Sequence, residues 1–141
     1  MGSQIRLLIV EDNEADAFLI TETLQPGPLS CDPVIVKDGV EACDYLHARE
    51  PYEGAAQPDL ILLDMNLPRL NGHGVLREIQ RDERLKRIPV VVLSSSDAAP
   101  DVERSYDLGA NCYVTKPVGL HEFQSRVKEI ENFWLSVARL P

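Results

Sequence analysis

The sequence predicts an α/β fold built on a doubly wound parallel sheet of five strands. Five short apolar runs alternate along the chain with segments of helical spacing, which is the pattern of repeated βα units. The runs do not alternate between apolar and polar residues, as expected for strands that are buried on both faces. They span residues 7–10, 34–36, 60–63, 90–93 and 112–114.

The intervals between these runs carry the signals of helices. Asn13 is a suitable N-cap for a first helix that runs to about Gln25, and Pro26-Gly27-Pro28 is expected to end it. Apolar residues at helical spacing predict three more helices at about 40–48, 74–81 and 100–108. Residues 51–58 are expected to form a loop.

The last segment carries an apolar stripe that is longer than the fold requires. Its members recur every three or four residues, which predicts an extended C-terminal helix of about five turns, although about three turns would close such a domain. The stripe consists of Leu120, Phe123, Val127, Ile130, Trp134 and Val137. The surplus apolar side chains either fold back onto their own domain or form an interface. The interface candidates are Phe123, Val127, Phe133 and Trp134.

Length and composition limit the class of protein. The chain has 141 residues, which fits one domain spanning 1–141 with no separate effector domain. Its net charge of −9 argues against a nucleic-acid-binding surface, and no apolar run reaches the ~18 residues of a membrane span. Cys31, Cys43 and Cys112 have no metal-ligand spacing and are expected to be reduced thiols, which favours a cytoplasmic protein.

Polar side chains follow four of the five runs near the point where each run ends. These side chains are Glu11 and Asp12 after the first run, Asp64 after the third, Ser94 after the fourth and Lys116 after the fifth. In an open parallel sheet, the carboxyl ends of the strands form the crevice where ligands bind. We therefore expect three acids, a hydroxyl and a lysine to meet at one edge of the sheet.

Three carboxylates at one edge would repel one another. If the first and third strands are neighbours, the acids lie roughly 5 Å apart, and each like-charge pair costs about 3 kcal/mol at an effective dielectric constant of ~20. Protonation of an acid, the ammonium group of Lys116 or a divalent cation could relieve this repulsion. Among cations, Mg²⁺ suits a set of carboxylate and carbonyl oxygens.

Asp64 could also act as a nucleophile. A carboxylate can attack phosphorus and form an acyl phosphate, and this transfer depends mainly on positioning and charge neutralisation. The ammonium group of Lys116 and the hydroxyl of Ser94 could contact the phosphoryl oxygens. The turn-rich residues 65–72 are expected to leave Asp64 open to a phosphoryl donor.

Taken together, these motifs resemble the receiver domain of two-component response regulators, and the likeness covers nearly the whole chain. The segments that carry it are 7–12 (LLIVED), 58–72 (PDLILLDMNLPRLNG), 89–94 (PVVVLS) and 109–117 (GANCYVTKP). The resemblance implies a flavodoxin-like (βα)5 fold with strand order 2-1-3-4-5. It also implies a stand-alone phosphoacceptor for a sensor histidine kinase rather than an enzyme, with at most weak self-catalysed phosphorylation and dephosphorylation.

The resemblance implies roles for individual acids. By likeness to the family, Asp64 is the phosphoacceptor. The implied Mg²⁺ ligands are Glu11, Asp12, Asp64 and the backbone carbonyl of Asn66. Glu11 stands where the family often has Asp, and its longer side chain should still reach the metal.

The resemblance also implies a switch. Ser94 corresponds to the switch hydroxyl, where the family often has Thr, and Tyr113 corresponds to the switch aromatic residue. Lys116 corresponds to the lysine of the site, and it precedes an implied cis-proline, Pro117. Phosphorylation is then expected to draw Ser94 and Tyr113 inward and to change the face that a partner reads.

A narrower likeness is to the stand-alone regulators paired with phytochrome-type sensor kinases. It rests on residues 111–118 (NCYVTKPV), the loop 50–57 and residues 133–135 (FWL). This likeness implies a light-regulated phosphorelay and a homodimer formed through the fourth and fifth helices. Output would then pass to a downstream protein or phosphotransfer partner.

Three alternative interpretations use similar topology or chemistry. A phosphatase of the haloacid dehalogenase type would need a second Asp two residues after Asp64, where this chain has Asn66. A flavodoxin-like electron carrier needs a phosphate-cradling loop after the first strand, where Glu11 and Asp12 would repel phosphate. A degenerate receiver that acts as a constitutive interaction module stays open, although the presence of all the site residues argues against it.

Overall fold

The sheet has the predicted topology. The computed structural model describes residues 5–24 and 31–141, so the predicted turn at Pro26-Gly27-Pro28 lies outside the described residues. Five parallel strands pair in the order 2-1-3-4-5, which confirms the flavodoxin-like (βα)5 fold. The strands are β1 (Ile5–Val10), β2 (Cys31–Val36), β3 (Leu60–Leu63), β4 (Val90–Ser94) and β5 (Cys112–Thr115).

Helices alternate with these strands as predicted. They are α1 (Glu14–Leu24), α2 (Gly39–Leu46), α3 (Gly72–Gln80), α4 (Ala99–Asp107) and α5 (Leu120–Glu131). A 3₁₀ turn at Leu85–Arg87 precedes β4, and a π-helical segment at Asn132–Val137 follows α5. In the described part of the chain, no helix combines the length and the apolar character needed to cross a membrane.

The first three helices begin at side-chain caps. The side chains of Asn13, Asp38 and Asn71 accept backbone N–H groups from the first turns of α1, α2 and α3, at 3.0, 2.7 and 3.0 Å respectively. Each cap satisfies a backbone donor that has no partner inside the helix. These caps therefore fix the points at which three helices leave the carboxyl edge of the sheet.

Both faces of the sheet are buried, because alternate side chains of β1 enter different cores. Leu8 and Val10 pack with residues of α2 and α3, whereas Leu7 and Ile9 pack with residues of α1 and α5. Burying each of these side chains contributes roughly 1.5–3 kcal/mol. The strand ends that carry the polar residues are therefore anchored on both sides.

The chain ends in the predicted extended helix, but its last part is not α-helical. The stripe positions Phe123, Val127 and Ile130 face the core as expected. In the π-helical segment the turns are wider, so the apolar register shifts. Leu135 is buried there, whereas Val137, the last position of the stripe, is 66% exposed.

The prediction that Phe123 and Val127 are interface residues is wrong. They are 5% and 1% exposed, because this side of α5 packs against the sheet and α1. Trp134 is half-buried and packs on the same core. Phe133 is 50% exposed, and its ring meets Trp134 edge-on with 5.3 Å between the ring centroids. Of the four candidates, Phe133 is therefore the one presented to solvent.

Candidate functional site

Backbone pairing continues one residue beyond three of the strands and positions the site residues. The Glu11 N–H donates to the last carbonyl of β2 at 3.0 Å, and the Asp64 N–H donates to the last carbonyl of β1 at 3.0 Å. The Lys116 N–H donates to the last carbonyl of β4 at 2.7 Å. The main chain of these residues is thus held as firmly as the sheet itself.

The three predicted acids converge at this edge. Glu11, Asp12 and Asp64 each place one carboxylate oxygen within 4.8 Å of the others. Glu11 and Asp64 are only 2% and 6% exposed, while Asp12 is exposed. Oxygens bound to one Mg²⁺ at about 2.1 Å lie at most about 4.2 Å apart. The donor set therefore fits a hard divalent cation once the carboxylates draw slightly closer.

Lys116 balances part of the negative charge. Its Nζ donates to Glu11 Oε1 at 2.6 Å, to Asp16 Oδ2 at 2.9 Å and to Asp64 Oδ2 at 3.2 Å. The lysine side chain is only 8% exposed. An ammonium group has three N–H donors, so each of them is matched to one carboxylate. Lys116 thus contacts Glu11 and Asp64, two of the three acids whose repulsion it was one of three ways to relieve.

Burial and charge shift the proton affinities of this network. Burial raises the pKa of the Glu11 carboxyl to about 7, although the hydrogen bond from Lys116 opposes this shift and the charge of Asp64 adds to it. Burial alone would lower the pKa of Lys116, but its hydrogen bonds to Glu11 and Asp16 and the charge of Asp64 raise that pKa above its usual value. Lys116 is therefore a permanent cation.

The loop between β3 and α3 holds the Asp64 side chain closely. The Asn66 N–H approaches Asp64 Oδ1 at 3.4 Å. A Cβ on Gly72 would lie 2.6 Å from the Asp64 carbonyl oxygen, so only glycine allows the loop to return this close. Asp64 is consequently more covered than the sequence suggested. The role of the Asn66 carbonyl as a metal ligand stays a prediction.

A cleft of about 440 Å³ opens beside the acid cluster. Asp12 and Asn66 form the wall next to the acids, while His73 of α3 and Asp101 of α4 form the far side. The cleft therefore borders the acid cluster at Asp12, its exposed member.

The predicted switch residues are linked through a residue that the sequence did not point to. Ser94 is fully buried, and its Oγ accepts a long hydrogen bond from the Ser96 N–H at 3.4 Å. The Tyr113 hydroxyl donates to the Ser96 carbonyl at 2.7 Å, and the Ser96 hydroxyl donates to Asp101 in the first turn of α4 at 2.6 Å. Ser96 thus connects both switch residues with α4.

The implied cis peptide bond before Pro117 is wrong. Among the described residues, the cis bond lies instead at Glu50–Pro51. The two isomers of a bond preceding proline differ by only about 0.5–1 kcal/mol, so local tertiary contacts decide between them. The trans bond at Pro117 is compatible with the inward reach of Lys116, whose Nζ contacts three carboxylates.

Asp16 is the site residue that the sequence analysis missed. It lies in the first turn of α1, and its carboxylate binds Lys116 across 100 positions of sequence. Asp16 lies three residues after the N-cap Asn13, in the first turn of α1. That position was the signal that could have placed Asp16 near the carboxyl edge of the sheet, although its contact with Lys116 depends on the rotation of the helix.

Sequence comparison places this fold and site in a known family. A model of the response regulator receiver domain matches residues 7–128. The chain belongs to the response regulator receiver domain family. This membership confirms the likeness drawn from the motifs around Asp12, Asp64 and Lys116.

The relatives of this receiver include a cyanobacterial phytochrome response regulator. This receiver is 44% identical over 135 residues to the response regulator Rcp1 of Synechocystis sp., with 96% of this chain and 92% of the relative covered. The crystal structure of the phosphorylated cyanobacterial phytochrome response regulator RcpA superimposes with a TM-score of 0.96 at 50% identity, covering 99% of both chains. The crystal structure of the Mn²⁺-bound form of Rcp1 superimposes with a TM-score of 0.94 at 43% identity, covering 97% of this chain and 99% of that chain.

The acid cluster is the divalent metal site expected of a receiver domain. Receiver domains bind a divalent metal in an acidic site, and a Mn²⁺-bound relative has been crystallised. In this receiver, the corresponding all-oxygen set is Glu11, Asp12 and Asp64. Carboxylate oxygens are the ligands that Mg²⁺ and Mn²⁺ prefer.

Proposed function

We propose that this receiver accepts a phosphoryl group on Asp64 from a sensor histidine kinase and signals by phosphorylation-switched protein contacts. The observation that carries the proposal is the geometry around Asp64. Its carboxylate is nearly buried, lies 3.2 Å from a permanent ammonium group and shares an oxygen cluster with two further acids. An acid that only stabilised the fold would not need both the contact with an ammonium group and the cluster with two further acids.

The proposed chemistry uses each of these groups. An Asp64 oxygen attacks the phosphorus of a phosphohistidine; the O–P bond forms, the P–N bond breaks and the imidazole leaves with the bonding electron pair and takes up a proton. Lys116 donates to a phosphoryl oxygen as charge develops there. Glu11 and Asp12 would hold Mg²⁺ together with Asp64, and the ion supplies neutralisation of the phosphoryl charge when it is bound.

The partners proposed here follow from the relatives. Because the relatives include Rcp1 and the phytochrome response regulator RcpA, we assign a phytochrome-type histidine kinase as the phosphoryl donor, acting in the cytoplasm. The receiver serves as a phosphoacceptor and not as an enzyme, with at most slow self-catalysed gain and loss of the phosphoryl group. A downstream protein or a phosphotransfer partner would read the modified state.

Uptake of a phosphoryl group from acetyl phosphate tests the proposal directly. With Mg²⁺ present, intact mass spectrometry is expected to show one added phosphoryl group on the parent protein and none on Asp64→Asn. Asp59→Asn is a matched control, because Asp59 lies before β3 at the opposite end of the sheet, where it accepts the Arg6 N–H at 2.8 Å. It should react like the parent protein.

Three outcomes of this experiment would contradict parts of the proposal. No uptake by the folded parent protein, either from acetyl phosphate or from a phosphorylated kinase, would favour a degenerate receiver. Uptake by Asp64→Asn would mean that another residue is the acceptor. Undiminished uptake in EDTA would remove the divalent metal from the reaction.

We further propose that phosphorylation is read as a change in self-association. Tyr113 is bound to Ser96 beside the buried hydroxyl of Ser94, so movement at the acceptor site can reach the surface of α4 and β5. Tyr106 of α4 is 48% exposed, and Phe133, which lies just beyond α5, is 50% exposed. Exposed aromatic side chains of this kind favour a homodimer interface.

Sedimentation of the phosphorylated protein tests the proposed dimer. Phe133→Ser and Tyr113→Ala are each expected to weaken the dimer by tenfold or more (about 1.4 kcal/mol), because one removes an anchor and the other breaks the link to Ser94. Both variants should still take up one phosphoryl group. A dimer of unchanged strength in both variants would place the interface elsewhere.

A further inference from the structure

The three partners of Lys116 would behave differently during phosphoryl transfer. Glu11 is a metal ligand in the proposed function, and Asp64 becomes an acyl phosphate. Asp16 lies outside the metal-binding set of Glu11, Asp12 and Asp64, yet its Oδ2 accepts from Lys116 Nζ at 2.9 Å. It is therefore the one carboxylate on Lys116 whose charge and bonding the reaction leaves untouched.

We propose that Asp16 is a positioning residue that holds Lys116 in place for phosphoryl transfer. The inference rests on the proposed function. When Asp64 becomes an acyl phosphate, its carboxylate loses its negative charge, and the N–H donor that now contacts Asp64 Oδ2 is free to turn to a phosphoryl oxygen. Asp16 keeps a second donor of the same ammonium group fixed while this exchange takes place.

The local structure makes Asp16 suited to this task. Its backbone N–H donates to the Asn13 side chain at 3.0 Å, and the Asn13 N–H donates to Glu11 Oε2 at 3.2 Å. The first turn of α1 is thereby tied to the end of β1. Lysine has a flexible four-carbon side chain with high rotamer entropy. A fixed carboxylate on the α1 side restricts Lys116 to the arrangement that reaches Asp64.

The rate of phosphorylation by acetyl phosphate in Mg²⁺ tests this role. Asp16→Asn removes the negative charge that faces Lys116, and it is expected to react about tenfold more slowly than the parent protein. Asp16→Glu should recover part of the rate because it restores the carboxylate. Glu14→Gln is the matched control, since Glu14 lies on the same turn but pairs with Lys37 at 3.0 Å; its rate should equal that of the parent.

Two further readouts separate positioning from a structural or metal-binding effect. In a titration with Mg²⁺, Asp16→Asn should lose less affinity than it loses in rate, because Asp16 lies near the acid cluster but outside the metal-binding set. The chain has four lysines, so the ¹⁵Nζ signal of Lys116 can be assigned with Lys116→Met. This signal is expected to be protected from exchange in the metal-free parent and broadened in Asp16→Asn.

The outcomes distinguish failure of this inference from failure of the proposed function. A parent protein that takes up no phosphoryl group overturns the proposed function and, with it, the role of Asp16. A parent that reacts, with an Asp16→Asn variant that matches its rate, overturns only the role of Asp16. A rate loss matched by an equal loss of Mg²⁺ affinity also overturns it, because the effect would then act through the metal.

Discussion

Replacing Lys116 by Met is expected to lower the free energy of unfolding of the metal-free protein by about 3–5 kcal/mol, the usual cost of removing one partner from a buried ion pair. Lys116 contacts Glu11, Asp16 and Asp64 within 3.2 Å. Without the ammonium group, the buried charges of Glu11 and Asp64 have no cation beside them. Urea unfolding in EDTA at pH 8 measures the loss.

Lys37→Met is the matched control for this prediction. Lys37 pairs with Glu14 at a similar distance of 3.0 Å, but both side chains are largely exposed, at 59% and 82%. Exposed pairs contribute about 0–1 kcal/mol, so the control should lose little stability. If both lysine variants lose the same small amount, the site network does not stabilise the fold.

Mg²⁺ is expected to restore much of the stability that Lys116→Met loses. A cation that binds only the folded state adds stability in proportion to the logarithm of its concentration over its Kd. Removal of the ammonium group leaves the acid cluster more negative, so the variant should bind Mg²⁺ more tightly than the parent protein. A Mg²⁺ affinity that falls in the variant would mean that Lys116 shapes the cluster rather than balancing its charge.

The acid cluster could be predicted from sequence because its position follows from topology. Residues that directly follow parallel strands lie at one edge of the sheet. The correct order of strands is therefore enough to predict that Asp12 and Asp64 are close together. The contact of Asp16 with Lys116 depends instead on how α1 is rotated above the sheet. That rotation is set by the cap at Asn13 and by core packing, and no single residue of the sequence encodes it.

Other features escaped prediction for different physical reasons. The apolar stripe on the last helix marks Phe123 and Val127 as covered, but it does not say whether the protein's own sheet or a partner covers them. The π-helical turns beyond Glu131 change the helical register, and a stripe assumed to be α-helical cannot anticipate this. The isomer at Pro117 depends on a free-energy difference too small for local sequence to decide.

The second large effect expected is a fall in the stability of the metal-free protein between about pH 5 and pH 7. The pKa of Glu11 is about 7 in the folded protein, against 4.5 as its ordinary value. The folded state therefore binds this proton more tightly than the unfolded state does. The resulting stabilisation is fully present below pH 4.5 and is lost as the pH rises through the folded pKa.

The slope of this change identifies the residue responsible. One proton bound only in the folded state gives at most about 1.4 kcal/mol per pH unit. Glu11→Gln cannot titrate, so the difference between the parent and this variant should change with pH inside the window and become constant above it. Urea unfolding in EDTA at half-unit intervals of pH provides the comparison.

Glu14→Gln serves as the control for the pH dependence, because Lys37 lowers the pKa of Glu14 below 4.5 and its titration falls outside the window. This variant should follow the parent curve between pH 5 and 7. A Glu11→Gln curve parallel to that of the parent would show that Glu11 is already ionised at pH 5. If the parent does lose stability as expected, deprotonation of Glu11 opposes folding in the absence of a metal. The same deprotonation supplies the negative charge that a divalent cation requires of its ligands. The acid cluster is therefore less stable without a metal because it is charged for binding one.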